Sequence, residues 1–251
     1  MLDRNTIIEH LHKSLEPLPY IHAFWLEGAD ANGTVDDYSD FDFWVDFEDE
    51  YEGQAYEAVE QALAELAEID FKYTMRHGHP KIRQRIYHLA GTSEYWAIDF
   101  CWQFHSREAG TFVENDTSEA AKVIFDKCGV IQFEPLNLDD YVEDNTKRLE
   151  KAKYRRTQYA RAEKYVQRGQ YLEAYAYYNQ YILNPLVDLL QLIYNPQHAD
   201  YGLIHISRNI PEAERERLEY FAQISSLDDI AKKVPEAGVW FDALINFTVD
   251  K

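Results

Sequence analysis

Hydrophobic and polar positions alternate from Asp40 to Phe47: every odd residue is apolar, and the even ones are Asp40, Asp42, Trp44 and Asp46. A strand sends successive side chains to opposite faces, so this pattern predicts a strand with one face in a core. Asp40 and Asp42 would lie on the other face, with Cα atoms roughly 6–7 Å apart. Two like charges that close favour a divalent cation between them. The alternative is an edge strand whose acids are solvated.

The pattern along the rest of the chain predicts strands and helices in the first half and helices alone afterwards. Helices are predicted at 3–16 and 52–68, and strands at 20–27, 40–47, 70–76, 83–90 and 95–104. Later helices are predicted at 139–167, at 171–193 with a kink at Pro185, at 211–223, and at 226–247 with Ser226 as N-cap and an interruption at Pro235. This order predicts an α+β fold, with an α+β domain at residues 1–135 and a helical domain at residues 136–251.

A third acid, Asp99, stands in the strand predicted at 95–104, where the even positions are bulky and apolar. Asp99 therefore falls on the face opposite to those residues. An acid in the middle of such a strand is costly to bury alone. It is either a structural acid with its own partner or a third carboxylate of the site that Asp40 and Asp42 form.

The segment before Asp40 is rich in turn residues and contains Gly28 and Gly33. Glycine turns let backbone N–H groups approach a phosphate. A glycine turn that leads into an Asp-x-Asp strand combines a cradle for a triphosphate with two metal ligands. This combination is what transfer of a nucleotide requires.

These residues resemble the signature of the polymerase-beta-like nucleotidyltransferase superfamily, and most of all that of bacterial aminoglycoside and lincosamide (antibiotic) nucleotidyltransferases. The residues that match the signature in register are Gly28, Ala31, Gly33, Ser39, Asp40 and Asp42. The resemblance implies a mixed sheet with flanking helices, followed by an all-α bundle on the substrate side. It covers the first hundred residues well and the remainder loosely.

The resemblance also implies an activity: transfer of a nucleoside monophosphate, with AMP from ATP as the leading candidate, to a hydroxyl of a small molecule such as an aminoglycoside-like antibiotic. Asp40, Asp42 and Asp99 would hold Mg²⁺, and Asp99 is either a metal ligand or the proton acceptor. Backbone amides around Gly28 and Ala29 would contact the triphosphate, with Gly33 and Ser39 in the same loop. Antibiotic resistance would be the biological role.

The loop departs from the family pattern in two ways. Ala29 stands where the family has a serine or a second glycine, and Asp30 and Asn32 replace basic residues. Positive charge for the triphosphate must then come from elsewhere. One source is the basic face of the helix predicted at 139–167. The other is a basic cluster, from which Arg83 and Arg85 are predicted to bind the nucleotide; the cluster consists of Arg76, His77, His79, Lys81, Arg83 and Arg85.

The composition and the net charge indicate which classes of binding partner to expect. The 251 residues carry a formal charge of −20, which argues against nucleic acid and is compatible with a cationic acceptor. The sequence has no run of 18 apolar residues and no zinc-type spacing; we expect no secretory signal, and we expect the two cysteines to be reduced. A cytoplasmic protein without a membrane partner is expected, either monomeric or a homodimer. Two alternatives stay open: nucleotidyl transfer to a protein or tRNA, and a nucleotide-binding protein whose catalysis has decayed.

Overall fold

Strand β2 (Phe41–Phe47) lies inside a six-stranded mixed sheet. A computed structural model of the chain describes residues 2–107 and 110–249. The other strands of the sheet are β1 (Ile21–Leu26), β3 (Ile69–Met75), β4 (Ile82–Leu89), β5 (Ile98–Phe104) and β7 (Lys122–Asp126). Their order is β3-β4-β5-β2-β1-β7, in which β2 and β5 are parallel and all other neighbours antiparallel. Strand β7 was not predicted, and neither was a short parallel pair of β6 (Thr111–Val113) and β8 (Gln132–Glu134).

One face of the sheet carries the core of this first unit, Met1–Leu136. Helices α1 (Arg4–Leu15) and α3 (Glu52–Leu66) contribute apolar residues to the same buried cluster as the odd positions of β2. These positions are fully buried phenylalanines and a valine: Phe41, Phe43, Val45 and Phe47. The predicted alternation is therefore confirmed, and the even positions of β2 occupy the opposite face.

The opposite face is also partly covered. A small cluster of buried residues, Ala23, Trp25 and Val130, packs there with half-buried Trp44. The rings of Trp25 and Trp44 stack with centroids 5.6 Å apart. The two indoles cover the middle of β2 on that face. The polar residues of the strand, Asp42 and Asp46, therefore lie apart, one toward each end.

The segment between β1 and β2 begins with a single helical turn, α2 (Gly28–Asn32), where the sequence predicted an irregular loop. Gly28 has φ +57°, and Gly33, which caps the turn, has φ +74°. Both values lie in the left-handed region that favours glycine. The two glycines therefore fix where the chain enters and leaves this turn.

The second unit, Asn137–Lys251, is helical in its described part. Its helices are α4 (Val142–Arg156), α5 (Ala160–Gln167), α6 (Tyr171–Tyr178), α7 (Asn184–Tyr194), α8 (Ile206–Asn209), α9 (Glu212–Ala222) and α10 (Leu227–Val249). The sheet of the first unit and these helices confirm the predicted α+β class. Across the described residues, no helix is both long and apolar enough to cross a membrane.

Two details of the helical prediction need correction, one at Thr157 and one at Pro235. The helix predicted at 139–167 is broken after α4, where the Thr157 hydroxyl donates to the Tyr154 carbonyl at 2.7 Å and ends the helical pattern. A π-helical turn, Asn179–Leu183, precedes Pro185 and accommodates the missing N–H of that residue. Pro235 does not interrupt α10, which continues through it. Ser226 acts as the predicted cap, since its hydroxyl accepts from the Asp229 N–H at 3.0 Å.

Candidate active site at the amino-terminal end of β2

Asp42 and Asp99 lie side by side in the two parallel strands, because Asp42 of β2 is in register with Asp99 of β5. Both are half-buried and stand on the face away from the α1 and α3 core. Asp40 comes directly before β2 and is exposed. Burial, followed by the charges of Asp40 and Asp99, raises the pKa of Asp42 to about 6. The structure thus brings the three predicted carboxylates to one end of the sheet.

Asp99 is held in place by Gln84 of β4. The Gln84 amide nitrogen, Nε2, donates to both carboxylate oxygens of Asp99, at 2.9 and 2.8 Å. Burial raises the pKa of Asp99, and the Gln84 hydrogen bonds and the charge of His77 oppose that rise. Gln84 was not foreseen, since nothing in the sequence indicates that β4 is the neighbour of β5.

Gly28 lies against Asp42. A Cβ atom added to Gly28 would lie 2.0 Å from Oδ2 of Asp42, far inside contact distance. The N–H of the preceding residue, Glu27, donates to the Asp42 carbonyl at 2.9 Å. Only glycine fits at position 28, for reasons of both space and backbone conformation. Gly33 differs, because nothing lies within 4 Å of its added Cβ.

Arg4, at the start of α1, ties this segment together. Its Nε donates to Oδ1 of Asp30 at 2.9 Å and its Nη1 to the Ser39 carbonyl at 2.8 Å. Its Nη2 donates to Asp30 and to the Asp40 carbonyl. The guanidinium also lies 3.9 Å from the ring centroid of Phe41. Arg4 therefore neutralises the charge of Asp30, the acidic residue that stands where the family pattern has a basic one. Sequence reasoning did not identify Arg4.

The Ser39 hydroxyl is engaged inside the loop. It accepts from the Asp36 N–H at 3.0 Å and donates to Oδ1 of Asp36 at 2.9 Å. Ala29 lies in the turn α2, and its carbonyl accepts from the Thr34 N–H at 3.1 Å. These bonds define the shape of the loop beside the three carboxylates.

Arg83 and Arg85 are not brought to this site, which corrects their predicted role. Both lie on the face of β4 that packs on α3, opposite to Gln84, because side chains alternate along a strand. Arg83 Nε pairs with Glu52 at 2.9 Å, and Arg85 Nη1 pairs with Glu60 at 2.7 Å. Of the basic cluster, His77 is the member whose charge acts on Asp99.

Glu27 is a further acid of the site that sequence reasoning missed. Its Oε1 accepts from the indole Nε1 of Trp25 at 2.9 Å. Burial raises the pKa of Glu27 to about 7, and the charges of Asp42 and Glu119 add to the rise. Glu27 directly precedes Gly28, and its charge interacts with that of Asp42 where β1 ends and β2 begins. No spacing rule identifies Glu27, because its relevance depends on the pairing of β1 with β2.

Comparison with known proteins gives limited likeness. No family model matches the chain, and no curated protein matches it. An aminoglycoside 6-adenyltransferase from Bacillus subtilis is similar in structure over 100% of this chain and 92% of its own, with 10% identity and a TM-score of 0.35. The spectinomycin adenyltransferase AAD(9) from Enterococcus faecialis, solved with ATP and spectinomycin, is similar over 97% of this chain and 100% of its own, with the same identity and TM-score. Both of these proteins are adenyltransferases.

Proposed function

We propose that the protein is a Mg²⁺-dependent nucleotidyltransferase that moves a nucleoside monophosphate, above all AMP from ATP, to a hydroxyl of a small molecule. The observation that carries the proposal is the placement of Asp42 and Asp99 side by side in two parallel strands, with the backbone of Gly28 against Asp42. Half-buried carboxylates in adjacent strands repel one another unless a cation lies among them.

The residues fit a hard divalent cation by their chemistry, and the cation would have to draw the three carboxylates together, because as a trio they do not lie within 4.8 Å of one another. Asp40, Asp42 and Asp99 offer carboxylate oxygens, which Mg²⁺ prefers as ligands. Burial and the mutual repulsion of the acids raise the pKa of Asp42, and a bound cation would offset both effects. When bound, Mg²⁺ would neutralise charge on the triphosphate and on the leaving pyrophosphate.

The Gln84 contact supports a ligand role for Asp99 over a role as proton acceptor. The Gln84 amide engages both carboxylate oxygens of Asp99, and outer hydrogen bonds of this kind commonly fix the orientation of ligating carboxylates. Asp99 would then be held in a fixed orientation beside Asp42, its partner in the parallel pair of strands. Its predicted alternative role, to take the proton of the attacking hydroxyl, is the less supported one.

The backbone at Gly28 and Ala29 would contact the triphosphate. Gly28 lies against Asp42, so a phosphate beside that turn would lie close to the carboxylates. Arg4 fixes the position of the loop through Asp30 and the carbonyls of Ser39 and Asp40. A groove of about 470 Å³ opens beside Arg4, and its lining includes Asp36, Asp37 and Trp96. Two acids and an indole suit a cationic ring, and a formal charge of −20 on the chain favours a cationic acceptor.

The test is release of pyrophosphate from labelled ATP, GTP, CTP or UTP with Mg²⁺ and a panel of cationic, hydroxyl-bearing acceptors. The native protein and Asp70→Asn, a control at an exposed acid of β3, should release pyrophosphate. Asp42→Asn should not, because it removes a central ligand. Binding of a triphosphate without its turnover would indicate a nucleotide-binding protein, and failure to bind any triphosphate would refute the proposal.

A further inference from the structure

A second polar cluster lies at the other end of β2. His22 stands in β1, Asp46 near the end of β2, and His105 directly after β5. The strands place the three together, since Ala23 pairs with Asp46 and the His105 N–H donates to the Phe47 carbonyl at 2.8 Å. Spacing along the chain gives no hint of this cluster. Its residues come from β1, from β2 and from the position directly after β5, and their spacing in the sequence matches no zinc-type pattern.

The pairing of β1 with β2 is irregular at His22. The register shifts between Ile21 and Ala23, so His22 occupies a β-bulge. A bulge turns a side chain out of its regular direction and is frequent next to functional sites. Here the imidazole of His22 lies beside that of His105, with ring centroids 4.2 Å apart and planes at 43°.

The three side chains form a ligand set. Their donor atoms all lie within 4.8 Å of one another, and among the described residues they are the one trio of His, Cys, Asp and Glu groups that meets this limit. His105 Nδ1 lies 2.6 Å from Oδ1 of Asp46. Asp46 is only 1% exposed, whereas His105 is exposed, so the cluster is anchored inside and open to solvent outside.

A second layer of contacts orients the buried acid. Gln103 Nε2 donates to Oδ2 of Asp46 at 2.8 Å, and Arg107 donates in turn to Oε1 of Gln103. This leaves Oδ1 of Asp46 directed at the imidazoles. Ligating carboxylates in metal sites are commonly fixed by outer hydrogen bonds of this kind.

Two more donor groups lie next to His22. Oε2 of Glu48 is 3.2 Å from its Nε2, and Sγ of Cys128 is 3.6 Å from its Nδ1. Neither group belongs to the set whose donor atoms lie within 4.8 Å of one another, so both are contacts of the His22 ring and not further ligands. The chain therefore offers two imidazoles and a carboxylate as ligands, with Glu48 and Cys128 holding the ring of His22 from outside the trio.

We propose that His22, Asp46 and His105 bind one divalent transition-metal ion of the Zn²⁺ class. Imidazole nitrogen with carboxylate oxygen suits Zn²⁺, Co²⁺ and Ni²⁺, whereas Mg²⁺ prefers oxygen alone. The ion would join the bulge of β1 to the carboxyl ends of β2 and β5. This site is separate from Asp42 and Asp99 and does not depend on the proposed transferase activity.

The test uses the full chain, freed of metal with a chelator and titrated with Co²⁺ in excess Mg²⁺. We expect one Co²⁺ per chain with visible absorption bands, displacement by Zn²⁺, and a higher melting temperature with Zn²⁺. His105→Gln and His22→Gln should each weaken Co²⁺ binding at least tenfold, whereas His10→Gln, a control at a histidine that pairs with Glu65, should not. Asp42→Asn should also leave Co²⁺ binding unchanged.

Two results would overturn the proposal. One is a native chain that binds no Co²⁺ at micromolar concentration. The other is undiminished Co²⁺ binding in a folded His105→Gln or His22→Gln protein, which would show that the histidines only hydrogen-bond to their neighbouring carboxylates. Because His105 is exposed, His105→Gln is expected to fold, and circular dichroism checks this for each variant.

Discussion

Gly28 is required for two reasons, its positive φ and its close contact with Asp42, and a comparison of Gly28→Ala with Gly33→Ala separates the two. Alanine at position 28 or 33 has to adopt a positive φ, +57° and +74° respectively. The left-handed conformation costs an L-residue about 1–2 kcal/mol, so both variants should lose stability by about that amount. Only Gly28→Ala also places a methyl group 2.0 Å from Oδ2 of Asp42.

The close contact has a consequence for activity. An ordinary contact begins near 3.4 Å, so the Asp42 carboxylate or the Gly28 backbone has to move by more than 1 Å. A displacement of about 1 Å in a catalytic group can cost about 10²-fold in rate. We therefore expect Gly28→Ala to lower the rate of pyrophosphate release about 100-fold, whereas Gly33→Ala keeps most of it.

Urea denaturation and pyrophosphate release, measured on both variants, provide the test. The expected pattern is a similar loss of unfolding free energy in the two variants, slightly larger for Gly28→Ala, with a large difference in rate. Equal rates for Gly28→Ala and Gly33→Ala would refute the idea that position 28 has to be glycine because of Asp42.

Three further variants test the contacts around the carboxylates. Gln84→Leu removes both hydrogen bonds to Asp99 and should raise the Mg²⁺ concentration needed for half-maximal activity about tenfold; an unchanged Mg²⁺ dependence would count against the ligand role. Arg4→Met leaves the charge of Asp30 buried without its partner and should lower the free energy of unfolding, measured by urea denaturation, by about 3 kcal/mol. Adding Asp30→Asn to Arg4→Met should restore much of that loss, and strictly additive effects of the two substitutions would contradict the pairing. Glu27→Gln should be more stable than the native protein by roughly 2–3 kcal/mol at pH 8 in a chelator, and equally stable near pH 4. The reason is that the pKa of Glu27 is about 7 in the folded protein and 4.5 in the unfolded chain, so the native protein loses stability as the pH rises from 4.5 to 7. A stability difference that stays constant from pH 4 to pH 8 would refute this assignment.

The sequence predicted β2 and its buried face well, because the period of two is strict between Asp40 and Phe47 and all its odd residues are large apolar ones. The same reasoning placed Asp42 and Asp99 on the face away from the core. It could not show that the two strands are parallel neighbours, which is what sets these acids side by side. Local patterns determine the faces of strands, whereas the partners of strands depend on contacts between distant segments.

The residues that sequence reasoning missed or misplaced all depend on such distant contacts. Arg4 reaches the loop from a helix that begins far earlier in the chain, and Gln84 reaches Asp99 from the adjacent strand. Arg83 and Arg85 were predicted to bind the nucleotide because they belong to a basic cluster in the sequence. Side chains alternate along β4, so both arginines lie on the face toward α3 and pair with glutamates there. A basic residue in a strand can reach a site only if its side chain lies on the same face of the sheet as the site. In β4 the side chain on that face is Gln84.

The even positions of β2 also explain how one strand can carry two different polar sites. Asp42 and Asp46 point to the same face but are roughly 13 Å apart along the strand. Trp44 stands between them and stacks on Trp25, which fills the interval with apolar surface. At that separation the effects of substitutions at the two ends should be nearly additive. What differs is the donor set: carboxylates near Asp42, which suit a hard cation, and imidazoles beside Asp46, which suit a softer one. Under the two proposals, the cation bound at each end would therefore follow from the strands that neighbour β2, and not from β2 itself.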